Sequence, residues 1–440
     1  MSADQLEKGL LLLAAALLAV PALAYLLPRP RAALATYLFG IAFVPVWVGA
    51  NLVNLLTVHI ALAALCIASL LPAARRDDAP PAATAGPSFL HGLKAFDVVL
   101  ATLALLAAGS FVIGLVDLGQ VYLIAVWSLM YTVGRLAATR LDLAAITTPL
   151  VIMLAIVSVL ALIEFVTGFN PWLRYTGNST GAFRIWGAQQ FRGSFVRAEG
   201  AFGHSIALGL CLAIGLALVA ATRLRTWVQA ALIAVMAAAL VVTFSRSAFV
   251  SAGLGLVLVL LCTRRRVTRS VRWVLGVALV LAVPVAVLST SGAFAENSEV
   301  STDAALYRLW LWDLLPGLRA VGRSDLLYRG TDGSSSVGSF ASIDNAVLLH
   351  ALTNGWVPAL ILCAAFAVAA LRLLLRGGDV ALVAVVAQIP AFFTVALITQ
   401  YAHLLWFVIG LAVTGLGAAE NATSEGLTEA EQPESVGAVA

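Results

Sequence analysis

The sequence predicts an all-α, polytopic integral membrane protein with about 12–13 transmembrane helices and two long external loops. Three observations carry that reading. Of 440 residues, 62% are apolar and only 11% are Asp, Glu, Lys or Arg, and the mean hydropathy is +1.00; so few charges cannot cover the surface of a soluble fold. Runs without charge, such as Leu143 to Ile163, Thr226 to Ser245 and Val274 to Ala295, meet the roughly 20 residues a helix needs to cross the hydrocarbon core. The runs are continuous and rich in Ala and Leu, whereas a barrel would alternate apolar and polar residues in segments of about 10.

The N-terminal helices, 1–166, contain spans at about 9–27, 31–49, 51–71, 96–116, 118–138 and 143–166. Asp4, Glu7 and Lys8 precede the first run; a signal peptide would carry a basic segment there, so the run reads as a retained helix. The charge-free stretch from Arg31 to Leu71 must turn near Gly49, and counting one early pair differently gives 12 spans and moves the N-terminus to the other side. Pro72 to Lys94, with Ala, Pro, Gly and an RRDD run, is a flexible connection. A first external loop, 167–203, leads into central helices, 204–290, with spans at 204–222, 227–244, 246–262 and 273–290. A large external loop, 291–343, precedes C-terminal helices, 344–418, with spans at 344–371, 379–398 and 401–418. The acidic tail, 419–440, reads as disordered.

Arg29, Arg31, Arg75, Arg76, Arg135, Arg140, Arg223, Arg225, Arg264 to Arg266, Arg269, Arg272, Arg372 and Arg376 then fall on one side, which the bias against translocating short basic loops makes cytoplasmic. Cys66, Cys211, Cys262 and Cys363 lie in or beside spans, so neither a disulfide nor a thiolate metal site is expected. The sequence has no dinucleotide fingerprint, Walker loop, HExxH or CxxC, so no cofactor, metal or nucleic-acid partner is predicted.

Four segments carry candidate chemistry. The two external loops hold Arg174, Arg184, Arg192 and Arg197, then Arg308, Arg319, Arg323 and Arg329; solvated surface is the plain reading, and guanidinium recognition of phosphate the functional one. RAEGAFGHS, Arg197 to Ser205, runs straight into a helix; its glycines allow close backbone approach, and a helix N-terminus offers free N–H groups to an anion. Glu199 is either the salt-bridge partner of Arg197 or a base. TFSRSA, Thr243 to Ala248, is a polar break whose Arg246 is costly in lipid and must face a cavity, headgroups or a partner. YRLWLWDLLPG, Tyr307 to Gly317, places Arg308 and Trp312 on one face of an amphipathic helix on the outer leaflet; Trp310 reads as an interfacial anchor, and Trp172, Trp186 and Trp312 as weaker candidates for stacking on sugar rings. SIDNAVLLHALTNGW, Ser342 to Trp356, puts Asp344 at the start of an apolar helix, as an N-cap or as a carboxylate at the mouth of a cavity. His350 and His403, deeper in apolar runs, read as structural.

In this order the four segments resemble the O-antigen ligase and Wzy-type polymerase superfamily, over about Arg197 to Trp356. The resemblance implies a GT-C-like helical fold. It also implies metal-independent, inverting transfer of a glycan from an undecaprenyl-pyrophosphate-linked donor to an acceptor hydroxyl on a glycan, lipid or protein. The setting would be the outer face of a bacterial inner membrane. Under it Arg197, Arg308 and Arg246 bind the donor pyrophosphate, Asp344 and Glu199 are the catalytic candidates, and Trp312, Asn345 and His204 contact acceptor or glycan. The sequence departs from the pattern in two places: Asp344 stands where ligases of the family carry His before Asn, and His204 with Ser205 replaces Pro-Asn. Against the transferase stand a secondary transporter or carrier of a lipid-linked envelope intermediate, which would place its site at broken helices near the midplane, and a non-catalytic scaffold.

Overall fold

A computed structural model describes residues 21–50, 56–71, 95–175, 180–263, 268–280, 310–329, 335–337 and 343–430. Pro30–Phe43 (α1) and Val58–Leu70 (α2) are joined through a short antiparallel pair with Gly49 opposite Thr57, so the chain reverses where the uncharged stretch was predicted to turn. Ala95–Val112 (α3), Leu118–Arg140 (α4) and Leu143–Thr167 (α5) follow. Thr180–Trp186 (α6) lies in the first loop; Ser205–Leu218 (α7), Thr226–Val242 (α8) and Arg246–Cys262 (α9) form the centre. The C-terminal part comprises Ala346–Asn354 (α10), Trp356–Arg376 (α11), Val380–Val386 (α12), Ile389–Phe392 (α13) and Thr399–Ala430 (α14).

The described residues are mostly helical, and their strands are two-stranded hairpins in connecting segments. Four helices, α3, α4, α5 and α11, are long and apolar enough to cross a membrane, while α2, α8, α9 and others are apolar but shorter. Residues 1–20 and 281–309, with part of the first and tenth predicted spans and Arg308, lie outside the described residues.

Three expectations need correction. The span predicted at 344–371 is two helices, interrupted at Gly355, because backbone of the large loop docks there: Trp356 N donates to Arg319 O at 2.9 Å and Val357 N to Ala320 O at 3.0 Å. The span at 379–398 is likewise broken into α12 and α13, followed by a non-helical stretch up to Thr399. The backbone of 419–430, predicted disordered, continues α14, in a segment whose Ala and Glu are good helix formers.

Helices α4 and α14 pack most intimately, with Gly134 and Gly410 facing each other's backbone so closely that a Cβ on either would overlap the other helix; small residues permit this approach in lipid-facing bundles. Nearby, Asp97 on α3 accepts from Arg135 Nη2 at 2.9 Å and Nε at 3.2 Å, while Arg135 Nη1 donates to Thr414 Oγ1 at 3.1 Å. The pair is mostly withdrawn from solvent, at 14% and 19% side-chain exposure. Removing one partner strands the other charge, so Asp97→Ala is expected to lower stability by about 3 kcal/mol, measured by thermal unfolding in detergent.

Connections predicted for one side meet one another. Trp47 Nε1 donates to Tyr175 O and Trp172 Nε1 to Phe43 O, both at 2.9 Å, and Arg323 N donates to Leu115 O at 2.8 Å. At the other end of the helices Arg223 pairs with Asp142 at 2.8 Å.

Candidate functional site

The end of the first loop is a small hairpin, Phe191 opposite Val196 and Arg192 opposite Phe195, that delivers Arg197 to the last turn of α8. Arg197 N donates to Gln190 O at 2.9 Å and Ala198 N to Val242 O at 3.1 Å. Two guanidinium groups then reach successive carbonyls of the Thr243–Phe244 turn: Arg197 Nε to Thr243 O at 3.0 Å, Arg192 Nη1 to Phe244 O at 3.4 Å. Cations at a helix C-terminus are favoured by its partial negative charge. Phe244 sits at φ 50, a left-handed conformation that a bulky residue holds only when its surroundings impose it. Here the Phe195 and Phe165 rings, each 6.0 Å away between centroids, and the Arg192 bond impose it.

On the far side of the turn, Ser245 Oγ caps α9 by accepting from Ala248 N at 3.3 Å, and Arg246 is the exposed first residue of that helix. Burial, then Arg197 and Arg246, pull the Arg192 guanidinium down to about 10. Burial likewise brings Arg197 down to about 10, against the pull of Glu199. Both remain cationic at neutral pH, so two of the three arginines predicted for the donor, Arg197 and Arg246, share one positive cluster with Arg192. The third, Arg308, lies outside the described residues.

Glu199 is fully buried, and neither carboxyl oxygen has a hydrogen-bond partner among the described residues. Burial and the neighbouring Glu164 push its pKa up to about 9, overcoming Arg197. Desolvation and Glu164 thus favour its protonated form at neutral pH, against the pull of Arg197. Glu164 itself, at the end of α5, organises this corner by accepting from Gly200 N at 2.8 Å, Glu199 N at 3.3 Å and Asn170 Nδ2 at 2.9 Å.

His204 caps α7, its Nδ1 accepting from Ile206 N at 3.1 Å; burial and Arg197 hold the imidazole down to about 4, so it is neutral. Gly203 has φ 63, and a Cβ there would lie 2.6 Å from Trp47 Cζ3 and 2.9 Å from Trp186 O. Gly203→Ala is expected to cost at least about 1 kcal/mol in thermal unfolding, from conformation and clash together.

The return of the large loop reaches the same end. Ser247 Oγ shares a 2.8 Å hydrogen bond with Thr394 Oγ1, and the adjoining Val395 O accepts from Ala346 N at 3.0 Å. Asp344, exposed, and Asn345 thus stand one connection away from Arg246. The N-cap of α10 is Asn345, whose Oδ1 accepts from Leu348 N at 2.9 Å; the expectation that Asp344 caps the helix is off by one residue, which leaves the Asp344 carboxyl outside the helix. Of the three residues read as acceptor or glycan contacts, His204 and Asn345 are helix caps.

Trp312 is 57% exposed. The segment Leu311–Gly317 is a 3₁₀-helix containing Pro316, not the predicted α-helix over its described length. Leu311 and Leu314 are its buried side, packed with Leu327, Ile343 and Leu352. Arg319 is held by Asp325 with two 2.7 Å contacts, and Arg174 lies over the Phe169 ring at 4.8 Å.

Sequence reasoning missed Glu164, Asn170, Gln190, Thr394 and Gln400 as parts of this corner. Gln400 Nε2 bridges Ala201 O at 2.6 Å and Val44 O at 3.0 Å, and Ser205 Oγ donates to Gln190 Oε1 at 2.8 Å. The available signal was polarity: Glu164 is the lone acid of an apolar span, and ionisable residues there mark organised interiors. Beside the hairpin, α8, α9 and residues 273–279 line an apolar cavity of about 680 Å³ that includes Val241 and Phe249, next to the arginine-bearing turn. Among the described residues no group of three or more His, Cys, Asp and Glu could hold a metal ion. No family model matches the sequence, and no curated protein matches it.

Proposed function

We propose that the protein is an integral membrane glycosyltransferase that moves a glycan from an undecaprenyl-pyrophosphate-linked donor to an acceptor hydroxyl, in the manner of O-antigen ligases and polymerases. The reading rests on one observation: the first loop and the Thr243–Phe244 turn bring Arg192, Arg197 and Arg246 together in one positive cluster, and the acid beside Arg197, Glu199, favours its protonated form. Such a site favours a multivalent anion, and the start of α9 adds its own partial positive charge. In this reading the diphosphate lies on the cluster, and the prenyl chain enters the apolar cavity between α8 and α9. As the acceptor oxygen attacks the anomeric carbon, charge grows on the departing diphosphate, where the fixed guanidinium groups stabilise it. The Glu199 hydroxyl donates to the same oxygens, and Asp344 orients the acceptor and takes its proton. The cluster faces the outer side of a bacterial inner membrane, and Arg308 completes the donor contacts.

The test is a reconstituted assay: purified protein in vesicles, a polyprenyl-diphosphate oligosaccharide donor, and a glycan or lipid acceptor. Product formation with release of polyprenyl diphosphate supports transfer. Movement of intact donor across the bilayer without product would replace it with the transporter reading. In a deletion strain, long carrier-bound chains indicate a ligase and single carrier-bound units a polymerase.

A further inference from the structure

A second cavity, of about 530 Å³, opens at the end of α8 opposite the Thr243–Phe244 turn, where Arg223 pairs with Asp142. Its rim is the turn from α7 to α8, with Arg223, Arg225 and Thr226, facing Thr268 and Val271 of the segment after α9. The turn is a built one: the buried Gln229 amide donates to Thr222 O at 3.1 Å, and Thr222 N donates to Val219 O at 3.1 Å. It holds Arg223 and Arg225 at the mouth, where both are exposed. The facing segment adds Arg269, exposed, and Arg272, whose Nη2 donates to Leu260 O at 3.2 Å. Two acids stand beside these arginines. Asp142 is engaged by Arg223, and the buried Asp379 caps α12, its Oδ1 accepting from Leu382 N at 2.7 Å. Arg225 and Arg269 form no ion pair among the described residues, so the mouth keeps an excess of positive charge.

Two observations put this mouth at the depth of lipid headgroups. Trp227 on α8 and Trp273 on the facing helical stretch, 269–280, are each 68% exposed, and Trp on the surface of a membrane protein collects at the membrane–water interface. Directly beyond them the walls turn apolar: Gln229 and Val271 line the basic cavity, while Ala230 and Trp273 begin the 680 Å³ apolar one between α8, α9 and 273–279. That groove follows α8 from Ala230 to Val241, about 16 Å at helical rise, close to half of the roughly 30 Å hydrocarbon core. A basic pocket that continues into an apolar groove one leaflet deep matches the shape of a phospholipid. Charge selects the headgroup: guanidinium matches a phosphate, whereas a choline or ethanolamine group would bring a further cation among the arginines.

We infer that this pocket binds an anionic phospholipid of the phosphatidylglycerol type, with its phosphate on Arg223 and Arg225 and an acyl chain in the groove beside Trp273. Basic pockets between transmembrane helices recognise anionic headgroups in this way. The transfer reading brings a prenyl chain to the same groove from its Thr243 end, but the inference does not depend on glycan transfer.

The test places the full chain in phosphatidylcholine vesicles with a trace of phosphatidylglycerol that carries a diazirine near the carboxyl end of one acyl chain. After illumination, labelled peptides are mapped by mass spectrometry. Label is expected on Ala230 to Ala234 and on Trp273 to Ala278, displaced by unlabelled phosphatidylglycerol and not by further phosphatidylcholine. One arginine beside an anionic lipid contributes about fivefold in affinity. Arg225→Gln should therefore reduce the label about fivefold, and the double variant Arg223→Gln, Arg225→Gln about 25-fold, while Arg225→Lys, which keeps the charge, retains most of it. Arg31→Gln, which removes an exposed arginine of α1 outside the pocket, should leave the label unchanged. Thermal unfolding verifies that the variants are folded; Arg225→Gln breaks no ion pair among the described residues, so it decides the matter even if the double variant, which also loses the Arg223–Asp142 pair, does not fold. Undiminished label in folded Arg225→Gln would overturn the proposal, as would equal displacement by phosphatidylglycerol and phosphatidylcholine. Stronger displacement by a polyprenyl diphosphate would overturn it too, by assigning the pocket to that lipid. Arg197→Ala should keep the label while losing transfer, so the two readings fail separately.

Discussion

Replacing Arg197 by alanine is expected to lower glycan transfer about a hundredfold or more in the reconstituted assay, the usual cost of removing a preorganised charge donor from the leaving group. Because Arg197 Nε also holds Thr243 O, part of the effect would be structural. Arg246 provides a second test. It lies exposed at the start of α9, and Arg246→Ala should lower transfer as well, with thermal unfolding of both variants measured alongside to take out the structural part. Arg197→Lys keeps the charge but not the planar fork and should restore only part of the rate. Full activity in both Arg197→Ala and Arg246→Ala would remove the basis for a diphosphate site.

Glu199 provides the second large effect, through pH. Its pKa stands at about 9 in the folded protein, against a carboxyl that ionises near the ordinary value once the chain unfolds. Between those two values the folded state binds the additional proton, so stability falls as pH rises through the window and levels off above about 9. Glu199→Gln mimics the protonated form and removes this dependence. The variant should be at least about 2 kcal/mol more stable than the parent at pH 8, with the difference vanishing near pH 4, in unfolding series across that range. It should also retain transfer at neutral pH and lose the decline that the parent shows as pH passes 9. A parent whose stability is flat from pH 5 to 9 would show that Glu199 is ionised in the fold.

Much of the helical layout could be read from hydropathy, because a run without charge leaves few alternatives to a helix. α5 and α9 fall within a residue or two of the predicted spans. The interruption at Gly355 had a local signal, the Thr353-Asn354-Gly355 break with Gly355 at φ 103, inside an otherwise apolar run; the one after Phe392 had little, and there Val395 O accepts from Ala346 N of another segment. The site was legible in part. Arg197 and Arg246 stood out as charges beside apolar runs, but Arg192 became their neighbour only through the Phe191–Val196 hairpin, whose pairing no periodicity announces.

Glu199 marks the same boundary more sharply. From sequence it is an acid two residues from an arginine, where pairing is the ordinary outcome. In the fold Glu164 and burial outweigh that arginine and keep its proton on. The amino-acid sequence by itself determined that this chain is helical and apolar, and which segments carry charge, because those properties depend on composition along a single run. Which charges face one another, and in what protonation state, was decided only by the tertiary structure, because Coulomb interactions and desolvation depend on distances between segments far apart in the chain.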